Sequence, residues 1–240
     1  MVLSKHVKRL AQPNRWNIPK KDQTWAPHPR GPHATSEALP LVAAVRNLLE
    51  VADEAREAKQ AVADGRVLVD GRPCSDHRRG LGFMDVVSIP DAEDHYRVLY
   101  DQHGRIALLA IDEDEAKSKL ARIEDKTQVP GGNTQLNLHD GRNVVVKEDT
   151  YSTGDVIRIT LPDQDIADHF PLDDGAPVYV TGGTHIGQAA EVTGHRVVRS
   201  SAPNLVSLEN EESFQTIEEY VFVVGADEPE IEIPEAEFHG

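Results

Sequence analysis

The N-terminal stretch holds the side chains whose chemistry is easiest to name. Lys5, Lys8, Arg9, Arg15, Lys20, Lys21 and Arg30 face a single acid, Asp22, across residues 1–36. Lys and Arg at this density replace the counterions condensed on a phosphate backbone. Trp16 and Trp25, the two tryptophans of the chain, sit among them. An aromatic on an extended arm is favourable only where it stacks or inserts, as bases and guanidinium planes in RNA allow. Pro13, Pro19, Pro27, Pro29 and Pro32 forbid a long helix. At most SKHVKRLA makes a turn or two, with Ser4 as its N-cap. The bland alternative is a solvated terminus. Basic residues interleaved with Trp and Pro favour an arm that orders on RNA.

Three further stretches raise the same question. In RNLLEVADEAREAKQAVADGRVLVDGRPCSDHRR, Arg46, Arg56 and Lys59 fall near one face of two short helices. Arg66, Arg72 and the pair Arg78-Arg79 extend that basic edge, although composition alone reads them as a solvated face. In VYVTGGTHIGQAAEVTGH, Gly182, Gly183 and Gly187 permit positive φ and close approach of backbone to a phosphate, with His185 at the loop apex. A glycine-rich structural hairpin is the competing reading. In GGNTQLNLHDGRN, His139 and Asp140 are adjacent, so on a strand they point to opposite faces and make a hairpin turn rather than a catalytic dyad. No Lys-Ser/Thr phosphate loop follows a strand, and no His pair has zinc spacing. A lone Cys74 excludes an internal disulfide and a multi-cysteine metal site. The residues therefore point to no catalytic group, cofactor or metal, and to no small-molecule substrate.

These side chains need elements to position them. Leu41, Val45 and Leu48 keep a helical period. Asp53 then caps a second helix, DEAREAKQAVADG, that stops at Gly65. RVLVDGRPC reads as a strand and an Asp-Gly turn, and GLGFMDVVSI as another strand. Hairpins are expected around His103-Gly104 and Asp140-Gly141, with DEDEAKSKLARIED as a helical interlude between them. GDVIRITLP alternates as a strand. Residues 173–225 read as five closely spaced strands, including the polar VVRSSAP, which suggests a small closed barrel. DEPEIEIPEAEFHG reads as an acidic, disordered tail.

The chain carries a formal net charge of -16, from 25 Lys plus Arg against 41 Asp plus Glu. Apart from the arm, the acids decorate nearly every element, as in LPDQDIADHFPLDD. A carboxylate surface of this kind keeps a protein hydrated in molar salt, where a screening length of about 3 Å makes its self-repulsion cheap. Net charge therefore does not exclude a nucleic-acid partner. No stretch approaches the roughly 18 apolar residues of a membrane span, and no apolar signal core opens the chain. The expectation is a soluble, cytoplasmic protein without a membrane partner.

Two segments resemble known RNA-associated modules. Ala55-Arg56-Glu57-Ala58, then Gly65-Arg66-Val67-Leu68-Val69-Asp70-Gly71, then Met84-Asp85-Val86-Val87-Ser88-Ile89 resemble the RNA-binding module of ribosomal protein S-four, pseudouridine synthases and tyrosyl-tRNA synthetases. Residues 178–195 resemble the KOW motif of ribosomal proteins and elongation factors, with Ala190 in place of its usual second glycine. The order of a KRLAQPNRWNIPKK arm, that module, GGNTQLNLHDGRN and the KOW segment is similar to the archaeal and eukaryotic small-subunit ribosomal protein family eS-four. Where that family usually has a Lys, this chain has Asn133.

The resemblance implies an α+β, multi-domain chain. It would comprise an RNA-binding arm (1–38), an S-four-like domain (39–97), a central β-rich domain (98–172), a KOW SH3-like barrel (173–225) and an acidic tail (226–240). It implies a non-catalytic constituent of the small subunit from a salt-adapted archaeon. Its partners would be small-subunit ribosomal RNA and neighbouring ribosomal proteins. The basic residues above would meet phosphates, the loop glycines and His185 a loop of RNA, and Trp16 and Trp25 would pack on RNA or protein. A free KOW-type regulatory factor and an RNA-modifying enzyme sharing the module are the alternatives. The second needs a catalytic domain for which 240 residues leave no room.

Overall fold

The computed structural model describes residues 6–18, 25–49, 55–196 and 203–233. The chain is mostly β-strand with two short helices, and it divides into two compact units. Residues up to Tyr100, joined by Arg105–Lys117, form the first, and Asp101–Gly104 with the chain from Ser118 form the second.

In the first unit, β1 (His6–Lys8) pairs antiparallel with β2 (Trp25–Pro27), so the basic arm folds back on itself as a ribbon. β3 (Leu39–Pro40) leads directly into α1 (Leu41–Asn47), and α2 (Ala55–Ala63) follows. α1 and α2 contribute the buried Leu41, Val45, Ala58 and Val62, the i, i+4 stripe legible in the sequence. Gly65, at φ 72°, ends the turn after α2, its N–H bonding the Val62 carbonyl. Asp53 lies outside the described residues.

β4 (Leu68–Val69) and β5 (Arg72–Pro73) form a hairpin at the expected Asp-Gly turn, with Asp70 and Gly71 both at positive φ (52° and 73°). The buried Asp70 carboxylate accepts the Val86 N–H at 2.9 Å, which ties that turn to the next strand. β6 (Gly80–Leu81) pairs with β3. β7 (Val86–Ile89), β8 (Asp94–Tyr100) and β9 (Ile106–Ile111) complete a sheet in the order β5-β4-β7-β8-β9. The expected boundary between 97 and 98 falls inside β8, which hydrogen-bonds to β7 on one side and β9 on the other.

The second unit contains two five-stranded sheets. β10 (Ser118–Val129), β11 (Asn133–Leu138), β12 (Asn143–Val146), β13 (Val156–Thr160) and β14 (Ile166–Phe170) are ordered β12-β11-β10-β13-β14 around Ala121, Ile123, Leu136, Leu138, Ile157 and Ile159. The helical interlude expected in DEDEAKSKLARIED is not found. Only Glu115–Lys117 makes a 3-10 turn, started by the Asp112 carboxylate accepting the Glu115 N–H at 2.7 Å. The charged run has helix-forming composition. As the central strand β10, however, it pairs on both sides and buries Leu120, Ala121 and Ile123, so tertiary pairing overrides local preference.

β15 (Pro177–Val180), β16 (Ala189–Arg196), β17 (Leu205–Glu209), β18 (Ser213–Ile217) and β19 (Val221–Val223) are ordered β18-β17-β16-β15-β19. The strand expected in VVRSSAP falls almost wholly outside the described residues, and β18 is a strand that the sequence pattern did not announce. Residues 234–240 of the expected tail lie outside the described residues, and the part before them differs from its expectation. Pro229 bridges Gly225, the Glu230 N–H bonds the Val224 carbonyl at 2.8 Å, and Ile231 is buried. An apolar residue with somewhere to go anchors acidic sequence.

Candidate nucleic-acid interface

α1 lacks a side-chain cap, and backbone supplies one instead. The carbonyls of Arg79 and His77 accept the N–H groups of Leu41 (2.7 Å) and Val42 (3.0 Å). The same 77–80 segment pairs with the arm. The Arg30 N–H bonds the Arg78 carbonyl, and the Arg30 carbonyl accepts the Gly80 N–H, both at 2.7 Å. Arg30 and the Arg78-Arg79 pair, far apart in sequence, are thereby held side by side by backbone. Lys59 joins them from α2. Burial lowers the pKa of His77 most, and the positive charges of Lys59, Arg78 and Arg30 push the same way against Asp76. Among the described residues, none of Arg30, Lys59, Arg78 and Arg79 has a carboxylate within ion-pair distance. Four cations gathered about one nearby carboxylate, Asp76, leave a net positive, anion-binding face.

The rest of the expected basic edge is distributed differently. Arg56 is exposed on the first turn of α2, and Arg46 is half-exposed in the last turn of α1. Arg72 is exposed on β5. Arg66 is held by Asp91 at 2.7 Å, which reduces its freedom to meet a phosphate. In the arm, Lys8 lies over the half-exposed Trp25 ring at 5.8 Å. Arg15 lies over the Tyr100 ring at 4.4 Å, and burial pushes the Tyr100 hydroxyl up to about 12 against the opposing charge of Arg15. Arg9 falls in the 3-10 turn Arg9–Ala11, while Lys5, Lys20 and Lys21 lie outside the described residues.

Trp16 corrects the reading of the arm. It is 3% exposed, and its indole N–H donates to the Ala38 carbonyl at 2.7 Å. It is a core residue of the first unit and offers no open face to a base. Trp and Ile two apart in NRWNI, followed by Pro, was the signal for an anchored turn, and Ile18 is indeed buried too.

The glycine loop between β15 and β16 is also shaped from within. A Cβ on Gly182 would fall 2.5 Å from the Tyr220 ring, and one on Gly187 would fall 2.6 Å from the Asp101 carbonyl oxygen. The Cβ side of both glycines is filled by the protein's own atoms. Gly183, at φ 78°, is exposed. His185 lies flat on Phe214 with ring centroids 3.8 Å apart. We expect Gly187→Ala, which adds that clash to a backbone at φ 81°, to cost about 2–4 kcal/mol in urea unfolding. Unchanged stability with weakened RNA binding would restore the phosphate-cradle reading.

Cations of the second unit behave unlike those around Arg30. Lys119 meets Asp140 at 2.7 Å, Lys126 meets Asp149 at 2.9 Å, and Arg158 meets Asp168 at 2.8 Å. Arg122 pairs with Glu124 and donates to the carbonyls of Glu219 and Val221. His139 and Asp140 have separate partners, the Arg122 N–H and Lys119.

The family model described as "Ribosomal family S4e" matches residues 92–166, and the "RS4NT (NUC023) domain" matches residues 1–36, the basic arm. The small ribosomal subunit protein eS4 of Methanothermobacter thermautotrophicus is 45% identical over 237 residues, covering 98% of both chains. The chain belongs to the ribosomal S4e family. The eS4 protein of Methanocaldococcus jannaschii is likewise 45% identical, over 95% of this chain and 97% of its own. The crystal structure of the 30S ribosomal protein S4e from Thermoplasma acidophilum superposes with a TM-score of 0.69 at 31% identity, covering 79% of this chain and 96% of that one. The unpaired cations around Arg30 lie in this chain's first unit, whereas Lys119, Lys126 and Arg158 of its second unit are paired.

Proposed function

We propose that this chain grips small-subunit ribosomal RNA through the cation-bearing face of its first unit. Arg30, Lys59, Arg78 and Arg79 would meet phosphates, with Lys8, Arg46 and Arg56 beside them. As an S4e protein it is a structural, non-enzymatic constituent of the small ribosomal subunit in the cytoplasm. The observation that carries the RNA reading is the contrast in pairing. Cations without ion-pair partners among the described residues converge around Arg30 in a chain where acids outnumber bases 41 to 25.

We read residues 39–97 as the S-four-like module, on the strength of the Asp70-Gly71 turn and the α1–α2 pair. We read 173–225 as the KOW-type SH3-like barrel, on the strength of its five short strands and glycine loop. The acid excess fits a salt-adapted archaeal source, and adjoining small-subunit proteins would be the further partners.

Arg78→Ala with Arg79→Ala tests the proposal. In filter binding of the full chain to small-subunit RNA across a KCl series, the double variant should bind more weakly. The slope of log K against log salt should shrink by about 0.7–0.9 for each phosphate that the variant no longer neutralises. Wild-type affinity and slope in the variant would sink it.

A further inference from the structure

The turn that opens the arm carries two features that the folded chain does not explain. Leu10, at the centre of the 3-10 turn Arg9–Ala11, is 95% exposed. Two residues on, Gln12 is only 8% exposed, yet neither its amide nitrogen nor its amide oxygen has a hydrogen-bond partner among the described residues. Nearly every buried polar side chain in a folded protein is satisfied, and an orphan amide is a costly exception. The turn is anchored on both sides. β1 pairs with β2 on one side of it, and Trp16 anchors the chain on the other, with the Trp16 N–H bonded to the Pro13 carbonyl at 3.2 Å. An exposed apolar side chain and an unsatisfied amide are thus both held between two anchors, in a basic stretch of sequence that includes Lys8 and Arg15.

We infer that Leu10 and Gln12 form a nucleobase-insertion site on the arm. Leu10 packs against an unstacked base or its ribose, as apolar wedges do at opened base steps. The Gln12 carboxamide, with a donor and an acceptor side by side, pairs with the edge of a base splayed from single-stranded RNA. A small opening of the 3-10 turn exposes the amide as the base enters. Contact of this kind does not depend on charge and survives salt that screens phosphate contacts. A neighbouring protein would also cover Leu10, but the surrounding sequence, with Lys5, Lys8, Arg9 and Arg15, favours an anion-bearing partner. The inference rests on the RNA-binding reading above and adds to it the place and chemistry of base contact.

The decisive variant is Gln12→Met, which keeps the volume and removes both orphan atoms. In the free full-length chain it should raise the melting temperature by about 2–6 °C. On small-subunit RNA in molar KCl it should weaken binding about five- to tenfold. Leu10→Ala should weaken binding comparably and leave the melting temperature unchanged. A lower melting temperature for Gln12→Met would mean that the amide is satisfied in the free protein, which overturns the inference. Wild-type affinity in either variant also overturns it, as does a Leu10→Ala defect seen only in assembled subunits and not on RNA alone. If the wild-type chain itself failed to bind small-subunit RNA, the RNA reading would fall instead.

Discussion

Lys119→Ala should lower the stability of the second unit by about 3–5 kcal/mol in urea unfolding. Lys119 is wholly buried on the central strand β10, and its ammonium lies 2.7 Å from the equally buried Asp140 carboxylate. Arg142 approaches the same oxygen at 3.3 Å, and the Arg142 N–H bonds the other one at 3.1 Å. Removing the lysine takes a cation from a carboxylate in a low-dielectric site, and strips methylenes from the middle of a sheet. The exposed pair Arg66–Asp91, although it has the same 2.7 Å separation, should be worth no more than about 1 kcal/mol and should fade with salt. Lys119→Ala with Asp140→Ala should recover part of the stability, since the stranded charge goes too. If Lys119→Ala melted with the wild type, the pair would be incidental.

That ion pair was not legible in the sequence, and the reason is general. HDGRN announced its turn, because Asp-Gly and the flanking apolar alternation are local signals. Nothing local says that the Asp of that turn is buried against a lysine on another strand. β10 itself was hidden for a related cause. DEDEAKSKLARIED has the composition of a helix, and only pairing with β11 and β13 makes it a strand. By contrast, α1, α2, the Asp70-Gly71 turn and the β8–β9 hairpin were readable because each is closed by residues within a few positions of one another.

The candidate interface divides in the same way. The abundance of basic residues was plain, but which of them remain uncompensated was not. Arg66 and Lys59 look alike in the sequence, yet one is neutralised by Asp91 and the other joins the unpaired group around Arg30. The glycines before and after His185 looked suited to a phosphate, while Tyr220 and Asp101 are what two of them accommodate. Both distinctions depend on partners more than twenty positions away, and a motif does not record its distant neighbours.

Trp16→Ala should destabilise the first unit by about 3–5 kcal/mol in the absence of any RNA, the range for deleting a large buried aromatic. Loss of the indole N–H also strands the Ala38 carbonyl, which sits one residue before β3 and therefore close to the start of α1. The anchor for the turn from Pro13 to Ile18 goes with it. Trp16→Phe should recover much of the packing but not the hydrogen bond, and so fall between the two. Trp25→Ala should act oppositely. That ring is 51% exposed under Lys8, so its removal should cost the free protein little and should show only in RNA binding. Thermal unfolding of the three variants without RNA separates the roles: a Trp16→Ala chain as stable as wild type would return Trp16 to the RNA face.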